Sequence, residues 1–320
     1  AAPPALVMVM LPLIDLTNMD VHDLLARGGT ILGAASRGNP FVRPVQQADG
    51  TIINEDRSQE ALDKLKLHNI DALICAGGDG TMAIAYKLAQ KGAHIIGVPK
   101  TIDNDLGETD VTFGFDTAVN TATDALEKLR TTAESHHRIM VMEVMGRNAG
   151  WIALTSGIAG GADAILIPEI PFDLNVVCAK IDALREAGRM YSLIVVAEGA
   201  HPADGERVYH IEGTTAERRL GGVGQQVGVI LAECTGSEVR VTVLGHVQRG
   251  GQPTPHDRYL ATLFGTEAVH CVAEEQWGRM VAMTRGDITT VPMAEAVAMK
   301  FVDPNGEIVR AARDLGIVFG

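Results

Sequence analysis

Apolar residues along the chain fall into short unbroken runs, separated by segments where they recur every three or four positions. The runs ALICA at 72–76, HIIGVP at 94–99, RIMVMEVMG at 138–146, ADAILIPE at 162–169, YSLIVVAEG at 191–199 and EVRVTVLGH at 238–246 predict strands. Helical spacing predicts helices over 58–70, 81–92, about 116–133, 148–161 and 174–188, the second ended by Gly92. Strands without polar alternation are covered on both faces, which requires parallel pairing through helical crossovers. The fold class is therefore α/β, and two such units in series is the coarse organisation. GGQPTPHDR at 250–258 reads as a glycine-proline turn, and the apolar AAPPALVMVMLP as a strand. That opening stretch lacks the basic region of a signal peptide.

Composition narrows the partners. A net charge of −13 and an aromatic content of 4% disfavour nucleic acid and anionic membrane, and no run reaches a membrane span. Anionic substrates then require cations concentrated locally. Cys75, Cys178, Cys234 and Cys271 are scattered without a CxxC motif, so four reduced thiols in a cytoplasmic protein are expected. Many of the 35 glycines sit at strand ends, where backbone approaches a ligand closely.

Two of those ends carry chemistry. In GGDGT at 77–81, Gly78 and Gly80 expose backbone N–H groups at a helix N-terminus opening near Thr81, a phosphate-binding arrangement. Asp79 in that setting makes sense when Mg²⁺ lies between it and the phosphate. In KTIDND at 100–105, extended backbone would aim Asp103 and Asp105 the same way and turn Asn104 away. Asp79, Asp103 and Asp105 are thus expected to converge, one holding metal while another accepts a hydroxyl proton. Arg138, Arg147, Arg240, His246 and Arg249 also lie at strand termini and would supply cations for a sugar phosphate. Glu198 closes another strand, placed for a sugar hydroxyl or for a helix cap.

GGDGT, PKTIDND, SHHRIMVMEVMGRNAGW, VVAEGA and VTVLGHVQRGGQPTPHDR together resemble the 6-phosphofructokinase family, from GGTILG at 28–33 to the C-terminal GIVFG. Lipid and NAD kinases share stretches like GGDGT, but lack KTIDND and the His246–Arg249 motif. The resemblance implies two three-layer, parallel-sheet domains with the active site in the cleft between them. The donor and Mg²⁺ domain would be 1–114 plus 248–298, and the sugar-phosphate domain 115–247 plus 299–320. It implies phosphoryl transfer to the C1 hydroxyl of fructose 6-phosphate, with Asp103 as base, Thr101 positioning the moving group and Arg147 stabilising its charge. Asp79 and Asp105 would serve Mg²⁺. Met145, Gly146, Glu198, His246 and Arg249 would bind the sugar phosphate.

Arg138 and Arg240 would reach a neighbouring subunit's site, implying a homodimer or homotetramer. Arg37, Gly78, Gly80, Thr81 and Lys100 would face the donor. Gly80 leaves room for ATP, whereas Lys100 resembles the pyrophosphate-using relatives, which keeps pyrophosphate as the alternative donor. Arg130, Asp163 and Arg189 resemble part of the family's effector site. The chain departs from the family in showing no GGDxPGxN-type strand and loop. The expectation is weak turnover by these 320 residues alone, with a non-catalytic sugar-phosphate binder as the alternative.

Overall fold

A computed structural model describes residues 22–34, 38–47, 49–203, 205, 207, 209–212 and 217–320. Arg37 and the opening apolar stretch lie outside the described residues. The chain divides into two units. One comprises the described residues up to Lys100, Leu106–Asp110 and Arg258–Met299; the other comprises Thr101–Asp105, Val111–Asp257 and Lys300–Gly320.

The first unit is organised on a sheet whose strands run in the order Asp287–Pro292, Arg279–Thr284, Ile95–Thr101, Leu73–Gly77. The last three are parallel and the first two form a hairpin. The hairpin closes through Arg285 and Gly286, both at positive φ, which matches the right-handed twist of its strands. The helix Asp79–Gln90 lies close on this sheet because Gly97 has no side chain. A Cβ there would stand 2.7 Å from the Met82 sulfur.

One expectation fails at Leu73–Gly77. Its apolar run reads as a strand buried on both faces, yet Ile74 is 46% exposed. Among the described strands it stands at the edge of the order, where side chains lose neighbours.

The second unit carries a parallel sheet in the order Val239–Val243, Ile139–Val144, Ser192–Ala197, Ala164–Leu166. Every residue of Ile139–Val144 and Ser192–Ala197 is buried, as their unbroken apolar runs demand. Met140, Met142 and Val144 join one core with residues of the helices Phe115–His136, Trp151–Ala159 and Glu307–Asp314. Ile139 and Val141 join another with residues of Leu174–Glu186 and Val223–Thr235. This is a three-layer α/β arrangement, with period-two side chains feeding both faces.

Two further expectations are corrected here. Cys178 and Cys234 are not free thiols; they form a disulfide with Cα atoms 6.4 Å apart. The helices carrying them share one core, and that proximity is invisible across 56 residues of sequence. GGQPTPHDR is also only partly a turn, because Pro255 opens the helix Pro255–Ala273. Proline suits the first turn of a helix, where its missing N–H is not needed. Asp257 then accepts the N–H of Thr117 at 2.8 Å, together with its hydroxyl, tying two helix starts within the unit.

Candidate active site

In the first unit Gly77 ends its strand and the next helix begins at Asp79, with Gly78 as its N-cap. Asp79 and Gly78 are half-buried, and Gly80 and Thr81 are exposed. A Cβ on Gly80 would meet nothing within 4 Å, so open space faces that position. Lys100 is exposed near the end of Ile95–Thr101.

In the second unit the candidate residues begin at Thr101. Its Oγ1 accepts the N–H of Asp103 at 3.1 Å and its carbonyl accepts the Thr112 hydroxyl at 2.8 Å. Strand geometry stops there. Asn104 has φ +52°, a left-handed conformation that Asn tolerates better than most residues. The simple alternation expected for 103–105 therefore does not apply, and Asn104 is buried rather than turned outward. Its Oδ1 accepts from the Thr112 N–H at 3.1 Å and from Lys300 Nζ at 3.3 Å. Asp103 and Asp105 flank this anchor at 4% and 1% exposure.

The turn after Ile139–Val144 is the most constrained part of the site. Gly146 has φ +141°, and a Cβ there would lie 2.6 Å from the Ala149 carbonyl oxygen. Arg147, exposed, has φ +52°. Residues that follow two neighbouring strands hold this turn. Gln248 Oε1 accepts the Met145 N–H at 2.8 Å, Glu198 Oε1 accepts the Arg147 N–H at 2.9 Å, and the Glu198 N–H donates to Val144 at 2.8 Å. Burial raises the Glu198 carboxyl above its ordinary value, opposed by the Arg147 N–H and reinforced by the charge of Asp103.

His246 and Arg249 are exposed on the 3-10 turn Gly245–Arg249, which follows Val239–Val243. They share the C-terminal end of the second unit's sheet with Met145, Gly146, Arg147 and Glu198. Arg138 and Arg240 do not. Arg138 precedes Ile139, and Arg240 pairs in register with Met140. The six residues of Ile139–Val144 separate the two ends by ~20 Å at roughly 3.3 Å per residue. Arg138 Nε pairs with Glu238 at 2.9 Å, and Arg240 pairs with the same carboxylate. The five cations therefore form two groups at opposite ends of one sheet.

Sequence reasoning also missed two polar residues. Gln248 is 1% exposed, set between the two cations of a motif read for its charges. Glu143 is 2% exposed within an apolar strand and accepts the N–H groups of Gly222 and Gly224, at 2.9 and 2.8 Å. A single acid inside RIMVMEVMG was the available signal. The effector-like residues make internal bonds. Arg189 forms a two-pronged pair with Asp163 at 2.7 and 2.8 Å, and Arg130 donates to the Gly160 carbonyl.

Among the described residues no group of three or more His, Cys, Asp or Glu side chains is placed to hold a metal ion. Asp79 belongs to one unit, and Asp103 and Asp105 to the other. Mg²⁺ in phosphoryl-transfer sites takes one or two carboxylates and completes its shell with water and substrate phosphates. Buried Asp105 and half-buried Asp79 are hard oxygen donors of that kind.

A sheet-end site of acid, glycine turn and exposed cations belongs to the α/β phosphotransferases. The sequence profile described as phosphofructokinase matches residues 8–272. An ATP-dependent 6-phosphofructokinase of Chloroflexus aggregans is 52% identical over 309 residues, covering 95% of this chain and 83% of that protein. A pyrophosphate–fructose 6-phosphate 1-phosphotransferase of Streptomyces coelicolor is 48% identical over 304 residues, covering 94% and 84%. The Pichia pastoris phosphofructokinase in the T-state aligns with TM-score 0.73 and 31% identity, over 93% of this chain and 31% of that one. The chain belongs to the phosphofructokinase family.

Proposed function

We propose that this protein is an ATP-dependent 6-phosphofructokinase, transferring a phosphoryl group to the C1 hydroxyl of fructose 6-phosphate. The observation that carries the reading is the shared end of the second unit's sheet, where Glu198 holds the backbone of Arg147 and the turn bearing exposed His246 and Arg249 follows the neighbouring strand.

Asp103 is the base that accepts the C1 hydroxyl proton. At 4% exposure its carboxylate is shielded from bulk water, which favours taking a proton from a bound alcohol over one from solvent. Thr101 fixes the Asp103 backbone and places its own hydroxyl toward the transferring group. The Arg147 guanidinium meets charge developing on that group, and its fixed turn limits reorganisation during transfer. Met145, Gly146, Glu198, His246 and Arg249 bind the sugar phosphate. Gly78, Gly80, Thr81 and Lys100 line the donor; Arg37 is assigned to it by family resemblance alone.

Asp79 and Asp105 would hold Mg²⁺, which when bound would neutralise donor phosphate charge. Arg138 and Arg240, at the far end of their own sheet, serve the sugar-phosphate site of a neighbouring subunit in a homodimer or homotetramer. The donor side is assigned to 1–114 with 248–298 and the sugar side to 115–247 with 299–320; the compact units differ in placing 101–105, 111–114 and 248–257 in the second unit and 299 in the first.

The open space at Gly80 supports ATP. The pyrophosphate reading retains the resemblance of Lys100 and the Streptomyces coelicolor relative. Parallel assays with Mg²⁺, fructose 6-phosphate and either donor test it. Fructose 1,6-bisphosphate is expected with ATP, and faster turnover with pyrophosphate would overturn the donor assignment.

A further inference from the structure

We propose that Gln248 is a positioning residue that sets the turn carrying Arg147, a role distinct from the sugar-phosphate contacts of its neighbours His246 and Arg249. The inference rests on the assignment of Arg147 to the transferring group.

Three observations carry it. Gln248 points inward at 1% exposure while His246 and Arg249, on the same short turn, are exposed. Its Oε1 accepts the Met145 N–H at 2.8 Å, across 103 residues of sequence. That N–H opens a turn with two consecutive positive φ values, one of them on a non-glycine residue, so the backbone there requires support from outside. Glu198 supplies support at the Arg147 end and Gln248 at the Met145 end.

The amide orientation follows from this bond, since only the oxygen accepts from an N–H. The other half of the amide is then left awkwardly placed: Gln248 Nε2 is buried and finds no hydrogen-bond partner among the described residues. An unsatisfied buried donor lowers stability, so a purely structural tie would be better made by a side chain without one. The turn bearing Gln248 keeps its own backbone bonds. Leu244 N–H donates to Glu143 at 3.0 Å and Val247 N–H to Leu244 at 3.2 Å. Loss of the amide oxygen should therefore loosen the Arg147 turn while leaving His246 and Arg249 in place.

The test compares Gln248→Met, which keeps length and removes the acceptor, with Gln248→Glu, which keeps an acceptor. Gln248→Met is expected to speed amide exchange in the peptide covering Met145–Arg147, and to lower kcat by roughly tenfold or more with KM for fructose 6-phosphate changed less than about threefold. In an Arg147→Ala background it should lower kcat by no more than about twofold, because a residue acting through Arg147 has nothing left to act on. Unchanged exchange, a loss confined to KM, or a full additional loss in the Arg147→Ala background would each overturn the proposal. If Arg147→Ala alone leaves kcat intact, the assignment of Arg147 fails instead. Should Gln248→Met not fold, Gln248→Glu decides: it is expected to retain at least about a tenth of kcat, and a deeper loss overturns the positioning role.

Discussion

Glu198 accepts the backbone N–H of Arg147 at 2.9 Å, so a carboxylate expected to grip the sugar also holds the residue expected to stabilise the moving phosphoryl group. A hydrogen bond to a charged acceptor contributes ~1.5–3 kcal/mol, which becomes roughly 10- to 150-fold in turnover if it acts fully in the transition state. Glu198→Ala should therefore lower kcat as well as raise KM for fructose 6-phosphate. Steady-state kinetics separates the two contributions, and a change in KM alone would return Glu198 to a purely sugar-binding role.

Asp103→Asn removes the base while preserving shape. Turnover should fall by roughly 10²–10⁴-fold, the usual loss of general-base assistance, with fructose 6-phosphate still bound. The same substitution removes a charge that raises the Glu198 carboxyl, so the apparent pKa of Glu198 should move down. A kcat loss below tenfold would exclude Asp103 as the base.

Much of this site was legible in the sequence because parallel strands announce themselves as unbroken apolar runs, and ligands gather at their C-terminal ends. GGDGT, KTIDND and the Arg147 turn could be placed on that ground alone. What escaped depends on backbone conformation or on three-dimensional proximity. The local parity of Asp103 and Asp105 was lost to one left-handed residue, Asn104. The two groups of cations follow from strand register, which a count of cations at strand termini ignores. Gln248 carries no charge and faces inward, so its motif drew attention to His246 and Arg249 instead.

The Cys178–Cys234 bond joins the helices Leu174–Glu186 and Val223–Thr235, and it encloses 56 residues of sequence separation. Cross-links of this kind add ~2–4 kcal/mol, chiefly by restricting the unfolded chain. Cys178→Ala should lower the midpoint of chemical unfolding, and Cys178→Ala/Cys234→Ala should lower it no further than the larger single effect. Reductant should shift the wild type and leave both variants unmoved. Cys75 and Cys271 are free in either case, so peptide mapping without reductant that finds Cys178 and Cys234 as free thiols would remove the cross-link from the account.

Burial raises both the Glu198 and the Glu169 carboxyls above their ordinary value of 4.5. A carboxyl whose folded pKa is raised binds its proton more tightly in the native state. Its contribution to stability is fully present below the ordinary range and is lost as pH rises through the raised value. Glu198→Gln cannot titrate and keeps an oxygen for the Arg147 N–H. Relative to wild type, the variant should thus gain stability as pH climbs from about 4.5 toward neutrality. Denaturant titrations across that range check the sign, and parallel pH profiles for the two proteins would show that Glu198 is not perturbed.

Donor choice gives the sharpest test at a single position. Gly80 follows Asp79 in the first turn of the helix Asp79–Gln90, is exposed, and has no atom within 4 Å of where a Cβ would stand. Gly80→Asp should fold without overpacking, with only the modest loss expected of an exposed helical position. It sets a second carboxylate beside Asp79, in space that a nucleotide would occupy. Repulsion of ~1.4–2.8 kcal/mol would reduce kcat/KM for ATP by roughly 10–100-fold. Pyrophosphate has no nucleoside to exclude, and Lys100 remains to meet its charge, so its kcat/KM should fall less or rise. The ratio of the two constants, measured on one preparation of each protein, is independent of active-site concentration. If Gly80→Asp lowers both donors equally, the space beside Gly80 does not discriminate between them, and the case for ATP must rest elsewhere in the site.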